Sequence, residues 1–210
     1  VGTPEDAYED RFALASIRAG ITPGWTAGGS VEGTEGHRRI AADSFVRLGT
    51  FGVLETSLSV NETNGRQGTA WLLGYTYHGR RWSLGLRELR RDEGYADLAW
   101  REPGSAPRLE RQVGLTMRVG PGTLSVGGLR QVSGAGEDRS FLRAGLGMPL
   151  GQGHLHLSAM HDLGRGDNDS WMLMWFLPLG DASASAWIDA NAGKATPGVA
   201  LQRSQPRGPG

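Results

Sequence analysis

Residues 111–179 read RQVGLTMRVGPGTLSVGGLRQVSGAGEDRSFLRAGLGMPLGQGHLHLSAMHDLGRGDNDSWMLMWFLPL. The stretch resolves into five segments of alternating apolar and polar residues. Val113, Leu115, Met117 and Val119 alternate with Gln112, Gly114, Thr116 and Arg118. Past Gly120-Pro121-Gly122, Leu124 and Val126 alternate with Thr123, Ser125 and Gly127. A polar link over 133–138 leads to Leu142, Ala144, Leu146 and Met148, set against Arg139, Phe141, Arg143 and Gly145. Gly151-Gln152-Gly153 turns the chain into Leu155, Leu157 and Ala159, which oppose His154, His156 and Ser158. The link 162–169 precedes Trp171, Leu173, Trp175, Leu177 and Leu179. A period of two over about ten residues is a strand signal. Short turns alternating with longer polar links are the pattern of a transmembrane β-barrel.

The same period extends outward in both directions. A hairpin is expected around Thr22-Pro23-Gly24, with Trp25, Ala27 and Val31 on one parity. The next strand runs from His37 to Leu48. Leu54, Leu58 and Val60 oppose Glu55, Ser57 and Ser59, and a polar loop is expected over 61–67. Trp71, Leu73, Tyr75 and Tyr77 share a face. Trp82, Leu84 and Leu86 oppose Arg81, Ser83 and Arg87. Residues 93–108 form the longest irregular stretch. Ala184, Ala186, Ile188 and Ala190 oppose Ser183, Ser185, Trp187 and Asp189, a loop covers 191–197, and one more strand begins at Val199. The count is about a dozen strands. Short turns near residues 50, 79, 121, 152 and 181 should gather at one end of a single antiparallel sheet, and longer loops near 64, 100, 136, 165 and 194 at the other. Gly127-Gly128 is the expected place for a bulge that swaps parity. Phe45 and Phe51, and Tyr77 and Trp82, flank short turns, where amphipathic rings suit a membrane interface.

Composition agrees with this and narrows it. The chain has 210 residues, 38% of them apolar, with 34 glycines. Glycine relieves crowding where strands curve. The 22 basic and 22 acidic residues cancel, which argues against nucleic-acid binding, a function that needs a basic face. Cysteine is absent, so disulfides and thiolate metal sites are excluded. No run of about 18 apolar residues suits a membrane helix. Residues 1–10 are polar and read as a linker. No signal peptide is evident at Val1, and residues 203–210 stop within a Gly/Pro turn, so the chain is expected to be an internal piece of a longer protein.

The polar parity carries the chemistry. Glu55, Arg81, Arg87, Gln112, Arg118, Arg139, Arg143, His154, His156 and Asp189 all oppose apolar neighbours. An arginine facing lipid costs about 2–4 kcal/mol at mid-depth, so these ten residues must face a lumen, water or partners, and in a barrel they are the lumen-facing candidates. Other candidates are weaker. His154 and His156 share a face but lack a third ligand, and His161 has the opposite parity. Asp167-Asn168-Asp169 lacks the glycine and closing glutamate of a calcium loop. Arg165-Gly166-Asp167 and the sequon Asn61-Glu62-Thr63 read as incidental. No nucleophile elbow, phosphate loop or zinc-protease motif occurs. Neither an enzyme nor a cofactor is expected.

Several stretches resemble the outer-membrane ushers of the chaperone–usher pilus pathway. Ala15-Ser16-Ile17-Arg18-Ala19-Gly20-Ile21-Thr22 with Val31-Glu32-Gly33 resembles the usher strand that follows the plug. Residues 45–54, with Leu48-Gly49-Thr50-Phe51-Gly52, resemble its turn pattern, and residues 112–128 look like its glycine hairpins. Met148-Pro149-Leu150-Gly151 and Leu177-Pro178-Leu179-Gly180 look like its strand ends, and residues 201–210 resemble the opening of a further hairpin. The resemblance covers residues 11–210 and implies the middle of a larger all-β antiparallel transmembrane barrel in the outer membrane of a Gram-negative cell. It implies a pore that assembles and secretes pilus subunits, with subunits and periplasmic chaperone–subunit complexes as partners through the full-length usher, and outer-membrane lipid around the wall. From the pattern alone, a soluble β-sandwich or a small independent outer-membrane barrel, with a structural or binding role, stays open.

Overall fold

The computed structural model describes residues 12–97, 104, 106–164, 169–191 and 193–203. Residues 1–10, and with them the expected linker, lie outside that set, as do Arg165-Gly166-Asp167 and Asn168. The described residues contain no helix. They form thirteen strands in one sheet, each hydrogen-bonded to its neighbours in sequence. The strands are β1 (Ala13–Thr22), β2 (Trp25–Thr34), β3 (His37–Arg47), β4 (Val53–Thr63), β5 (Arg66–His78), β6 (Trp82–Arg91), β7 (Leu109–Val119), β8 (Gly122–Val132), β9 (Asp138–Leu150), β10 (Gly153–Asp162), β11 (Ser170–Leu179), β12 (Ala182–Asn191) and β13 (Lys194–Arg203). The order β1 to β13 leaves β1 and β13 as the two edges, so the sheet is open. The residues gather into two compact units. One holds β1–β5 with the long-link ends of β6–β8, and the other holds β9–β13 with the short-turn ends of β6–β8.

Antiparallel pairing of sequence neighbours makes the connections alternate between two ends. Pro121 and Gln152 accordingly sit in turns at the same end of the second unit. Length sorts the connections less cleanly than the sequence suggests. The loops expected over 61–67 and 191–197 are absorbed into strands, because β4 runs on to Thr63, β5 starts at Arg66 and β13 starts at Lys194. The apolar alternation stops at Val60, but the ladder continues through Asn61↔Gly68 and Thr63↔Arg66. These hairpins therefore extend beyond the apolar band. Asn64 (φ 50°) and Gly65 (φ 77°) close the β4–β5 hairpin with both φ positive, the conformation of a type I′ turn. Gly65→Ala should cost about 1–2 kcal/mol, the penalty of a Cβ in the left-handed region. A fall in the urea midpoint of the folded barrel would measure it.

Cross-strand partners share a face, so the register fixes which residues point together. In the first unit Leu58 opposes Trp71 and Ala42, and Val60 opposes Ile40 and Thr69. In the second, Leu157 opposes Leu146 and Leu173, and Leu173 opposes Ile188. Alternation persists through the ladders of β1–β5 and of β9–β13, with a register shift between Gly20 and Thr22. The bulge expected at Gly127-Gly128 is not there. Ser125 faces Gly145 and Arg130 faces Asp138, so β8 keeps one parity on both sides of the glycine pair. Phe45 is a second correction. It opposes Thr26 and Glu55 on the polar face, and the Arg18 guanidinium lies 4.8 Å from its ring centroid. The outward aromatics near the short turns are instead Trp25, Phe51 and Trp82. Trp25 donates from Nε1 to Ser44 Oγ at 2.9 Å, so its polar edge is satisfied.

On β4 burial is inverted relative to a water-soluble sheet. On β4, Leu58 is 57% exposed, while Ser59 and Asn61 on the opposite parity are 5% and 2% exposed. Trp71, Leu73, Leu157, Trp171, Trp175, Val199 and Leu201 are also exposed. A sandwich would bury that leucine and tryptophan face against a second layer. Here that face is left uncovered.

Candidate functional site

The polar face of the first unit is a hydrogen-bonded wall with a strap across it. Glu32 from β2 bonds His37 Nε2 at 3.2 Å and Arg39 Nη1 at 2.9 Å. His37 Nδ1 lies 2.8 Å from Thr63 Oγ1, and Thr63 Oγ1 lies 3.1 Å from the Asn61 amide. All five side chains share the parity that alternation assigns to the polar face. Burial forces this mutual pairing, since an unpartnered polar group removed from water costs about 1–3 kcal/mol.

The strap is the segment 92–97 at the start of the β6–β7 link. Asp92 accepts from the Thr69 backbone N–H at 2.8 Å and from the Gly94 N–H at 3.0 Å. These bonds turn the chain back over the end of β5. Tyr95 and Ala96 are then buried, and Ala70, Tyr95 and Ala106 pack together with Leu89 against them. Asn61 fastens the strap to the wall. Its carbonyl faces the Ala96 N–H at 3.2 Å and its NH2 faces the Gly68 carbonyl at 3.1 Å. That amide orientation follows from the partners, since an N–H can only donate and a carbonyl can only accept. Close approach of backbone to backbone is possible because both chains carry glycine there. A Cβ on Gly68 would stand 2.3 Å from the Gly94 carbonyl carbon, and one on Gly94 would stand 1.9 Å from Gln67 O.

Nearby ion pairs brace the link. Arg91 bonds the Pro107 carbonyl at 2.8 Å and Glu110 at 2.5 Å, and Arg108 bonds Glu93 at 2.5 Å. Arg18 reaches Asp43 at 3.1 Å across Gly28, where a Cβ would meet both carboxylate oxygens at 2.9 Å.

The polar face of the second unit is different. Gly114, Ser125, Gly145 and Ser158 floor a shallow groove of about 380 Å³, with Arg143 and His156 along it. It is less polar than its sequence implies, because β11 contributes Met172, Met174 and Phe176 to that face. Trp187 lies across Gly198, whose added Cβ would fall 2.2 Å from the indole.

Nine of the ten polar-parity candidates are placed on strands of the polar face. Glu55 opposes Phe45 and Gly74. Arg87 shares parity with the inward-packed Leu89, and Gln112 shares it with Glu110. Arg118 and Arg139 keep the polar parity of β7 and β9. His154 opposes Phe176, His156 opposes Met174, Arg143 opposes Met160, and Asp189 opposes Met172 and Thr196. Arg81 is the exception. It sits in the β5–β6 turn, and its carbonyl accepts the Arg118 N–H at 2.8 Å. Arg143, His156 and Asp189 are gathered around the groove, whereas Glu55, Arg87 and Gln112 belong to the strapped unit. Among the described residues no group of three His, Cys, Asp or Glu side chains could hold a metal. His161, on the apolar parity, bonds Asp169 at 2.6 Å.

The buried set of Glu32, His37, Arg39, Asn61 and Thr63 was not singled out by sequence for this role. Its signal was there, since Asn61 and Thr63 continue the parity of Ser57 and Ser59. As a sequon, Asn61 is closed off by its burial.

A long antiparallel sheet of next-neighbour hairpins, apolar on one face and polar on the other, has the pattern of a transmembrane β-barrel wall. No protein-family model matches the chain, and no curated protein matches it by sequence. Solved structures do. The P pilus usher (PapC) translocation pore superposes with a TM-score of 0.63 at 20% identity, over 86% of this chain and 41% of that one. A second structure of the usher PapC translocation pore gives a TM-score of 0.53 at 16% identity, over 91% of this chain and 55% of that one. The fold is therefore usher-like, and the chain spans about half the length of the pores it matches.

Proposed function

We propose that this chain is part of the wall of an usher-type outer-membrane pore through which pilus subunits are assembled and secreted. One observation carries the reading, the inverted burial on β4. The sheet's leucine and tryptophan face is exposed as a lipid-facing band requires, while in the first unit His37, Ser59, Asn61 and Thr63 on the opposite parity are buried. The likeness to the P pilus usher pore supports the same conclusion. A wall of mixed charge and neutral hydroxyls suits the passage of a folded protein, because it wets the channel without a single-sign field to hold the passenger. Catalysis has no part in this reading.

Facing is tested with spin labels placed singly at positions 112–119 of the full-length protein in liposomes. Labels at 113, 115, 117 and 119 should collide with dissolved oxygen, and labels at 112, 114, 116 and 118 with a water-soluble nickel chelate. Uniform chelate contact would exclude the membrane barrel. Passage is tested separately with photo-crosslinkers at Glu55, Arg143 and His156. These should capture pilus subunits in transit, whereas a crosslinker at Leu157 should capture none.

A further inference from the structure

Outward-facing charge on the first unit is concentrated in one row at the long-link end. Arg90 stands 5.2 Å over the ring of Trp71, which belongs to the exposed apolar face. Arg90 and Arg111 both bond Glu88, each at 2.6 Å, so all three share that face. Arg130 bonds Asp138 at 2.6 Å on the same parity of β8 and β9. Arg108 donates its N–H to the Val132 carbonyl at 2.8 Å across β7 and β8, and Arg111 lies three residues after Arg108 while Arg130 lies two before Val132, so the two arginines are neighbours across the strand pair.

Cβ atoms of cross-strand neighbours on one face are about 5–8 Å apart, and like charges so placed repel. Glu88 lies on the β6 side of this pair and Asp138 on the β9 side. Glu88 thus holds Arg90 and Arg111 from the β6 side and Asp138 holds Arg130 from the β9 side, so neither carboxylate comes from β7 or β8. Arg90, Arg111 and Arg130 are 49%, 43% and 47% exposed. Beside them on the same face, Trp71 and Val113 are exposed and apolar.

A cationic fork above an apolar surface matches a lipid, head and tail. Arg111 is the third residue of β7 and Arg130 the third from the end of β8, so the row lies at the long-link end of these strands, where an apolar band about 25 Å tall gives way to water. We propose that Arg111 and Arg130, with Arg90 beside them, form a seat for the phosphate groups of a membrane lipid in the leaflet at the long-link end. A phosphate between the two guanidiniums accepts from both forks, relieves their repulsion and makes charge-assisted bonds. A lipid with two phosphates would span the row. The inference rests on the membrane-barrel reading above.

The test uses the full-length protein, purified in detergent and confirmed as folded by its heat-modifiable migration. Lipid A with both phosphates is added, and after gel filtration the lipid retained per protein is quantified by mass spectrometry. Dephosphorylated lipid A and phosphatidylglycerol are run in parallel. The wild type should retain bisphosphorylated lipid A at least tenfold better than the dephosphorylated form, with phosphatidylglycerol between them. The pair Arg111→Gln with Arg130→Gln should lose that preference, and Arg111→Lys with Arg130→Lys should keep most of it. Equal retention of phosphorylated and dephosphorylated lipid by the folded wild type would overturn the seat while leaving the barrel intact. So would an undiminished preference in the glutamine pair. Failure of the full-length protein to enter membranes would remove the barrel reading and the seat together.

Discussion

Expressed alone behind an export signal, the 210-residue chain should give no heat-resistant, protease-protected membrane species and no conductance. The open sheet is the reason. β1 and β13 are ten residues long, and each pairs on one side only. Half of an edge strand's backbone groups point away from its partner, so each edge leaves about ten N–H and C=O groups unpaired, and in hydrocarbon each costs several kcal/mol. The sum over two edges is tens of kcal/mol, well above the 5–15 kcal/mol that stabilises an ordinary domain. In water the same edges would template aggregation. Ile17 on β1 and Val199 on β13 are 76% and 81% exposed, so among the described residues no side chain covers either of them. Further strands beside β1 and β13 would remove the cost, and a protein containing them should migrate as a heat-modifiable band where the isolated chain does not. A stable, conducting monomer made from this chain alone would disprove the need for them and would favour a small independent barrel.

Strand existence and facing were legible in the sequence because both rest on the period of two. Leu155, Leu157 and Ala159 could be assigned to one side without coordinates, and the ladder with Leu146 and Leu173 agrees. What the period does not report is where a strand ends once it leaves the apolar band. Glu62, Thr63, Arg66 and Gln67 are as polar as loop residues, yet they pair in register. The Asn64-Gly65 dipeptide between them is the local signal for a two-residue hairpin, and it outweighs the polarity on either side. Phe45 misled for a related reason. An aromatic near a strand end fits an interface, but its odd parity on β3 places it with Asp43 and Arg39. Face assignment by parity is the stronger argument, because alternation is a covalent property of the extended chain whereas interface preference is a tendency. The strap was not legible at all. Its docking depends on Gly68 and Gly94 meeting backbone to backbone, and no spacing of side chains encodes that contact.

Gly68→Val should release the strap while leaving the barrel folded. The added Cβ would stand 2.3 Å from both the Gly94 carbonyl carbon and the Tyr95 nitrogen. Those are backbone atoms, which cannot swing aside as a side-chain tip can, so segment 92–97 must lift. Lifting exposes Tyr95, which is 3% exposed in place, and the burial of such a ring is worth about 2–3 kcal/mol. It also strips the Ala96 N–H from Asn61, leaving a buried amide without its donor at a cost of about 1–3 kcal/mol. Together the strap should lose about 3–6 kcal/mol of docking free energy, enough to turn a closed segment into a predominantly open one. A cysteine at Ala96 in the full-length protein reads this out. It should resist a water-soluble maleimide in the parent and react at least a hundredfold faster in the Gly68→Val background. Gly114→Val supplies the control, because a Cβ there meets nothing within 4 Å and the residue carries the polar parity of β7. That variant should leave the maleimide rate unchanged. If Gly68→Val left Ala96 as protected as before, the close approach of strap and wall would not be what holds the segment down, and the Asp92 bonds at its base would be the alternative anchor.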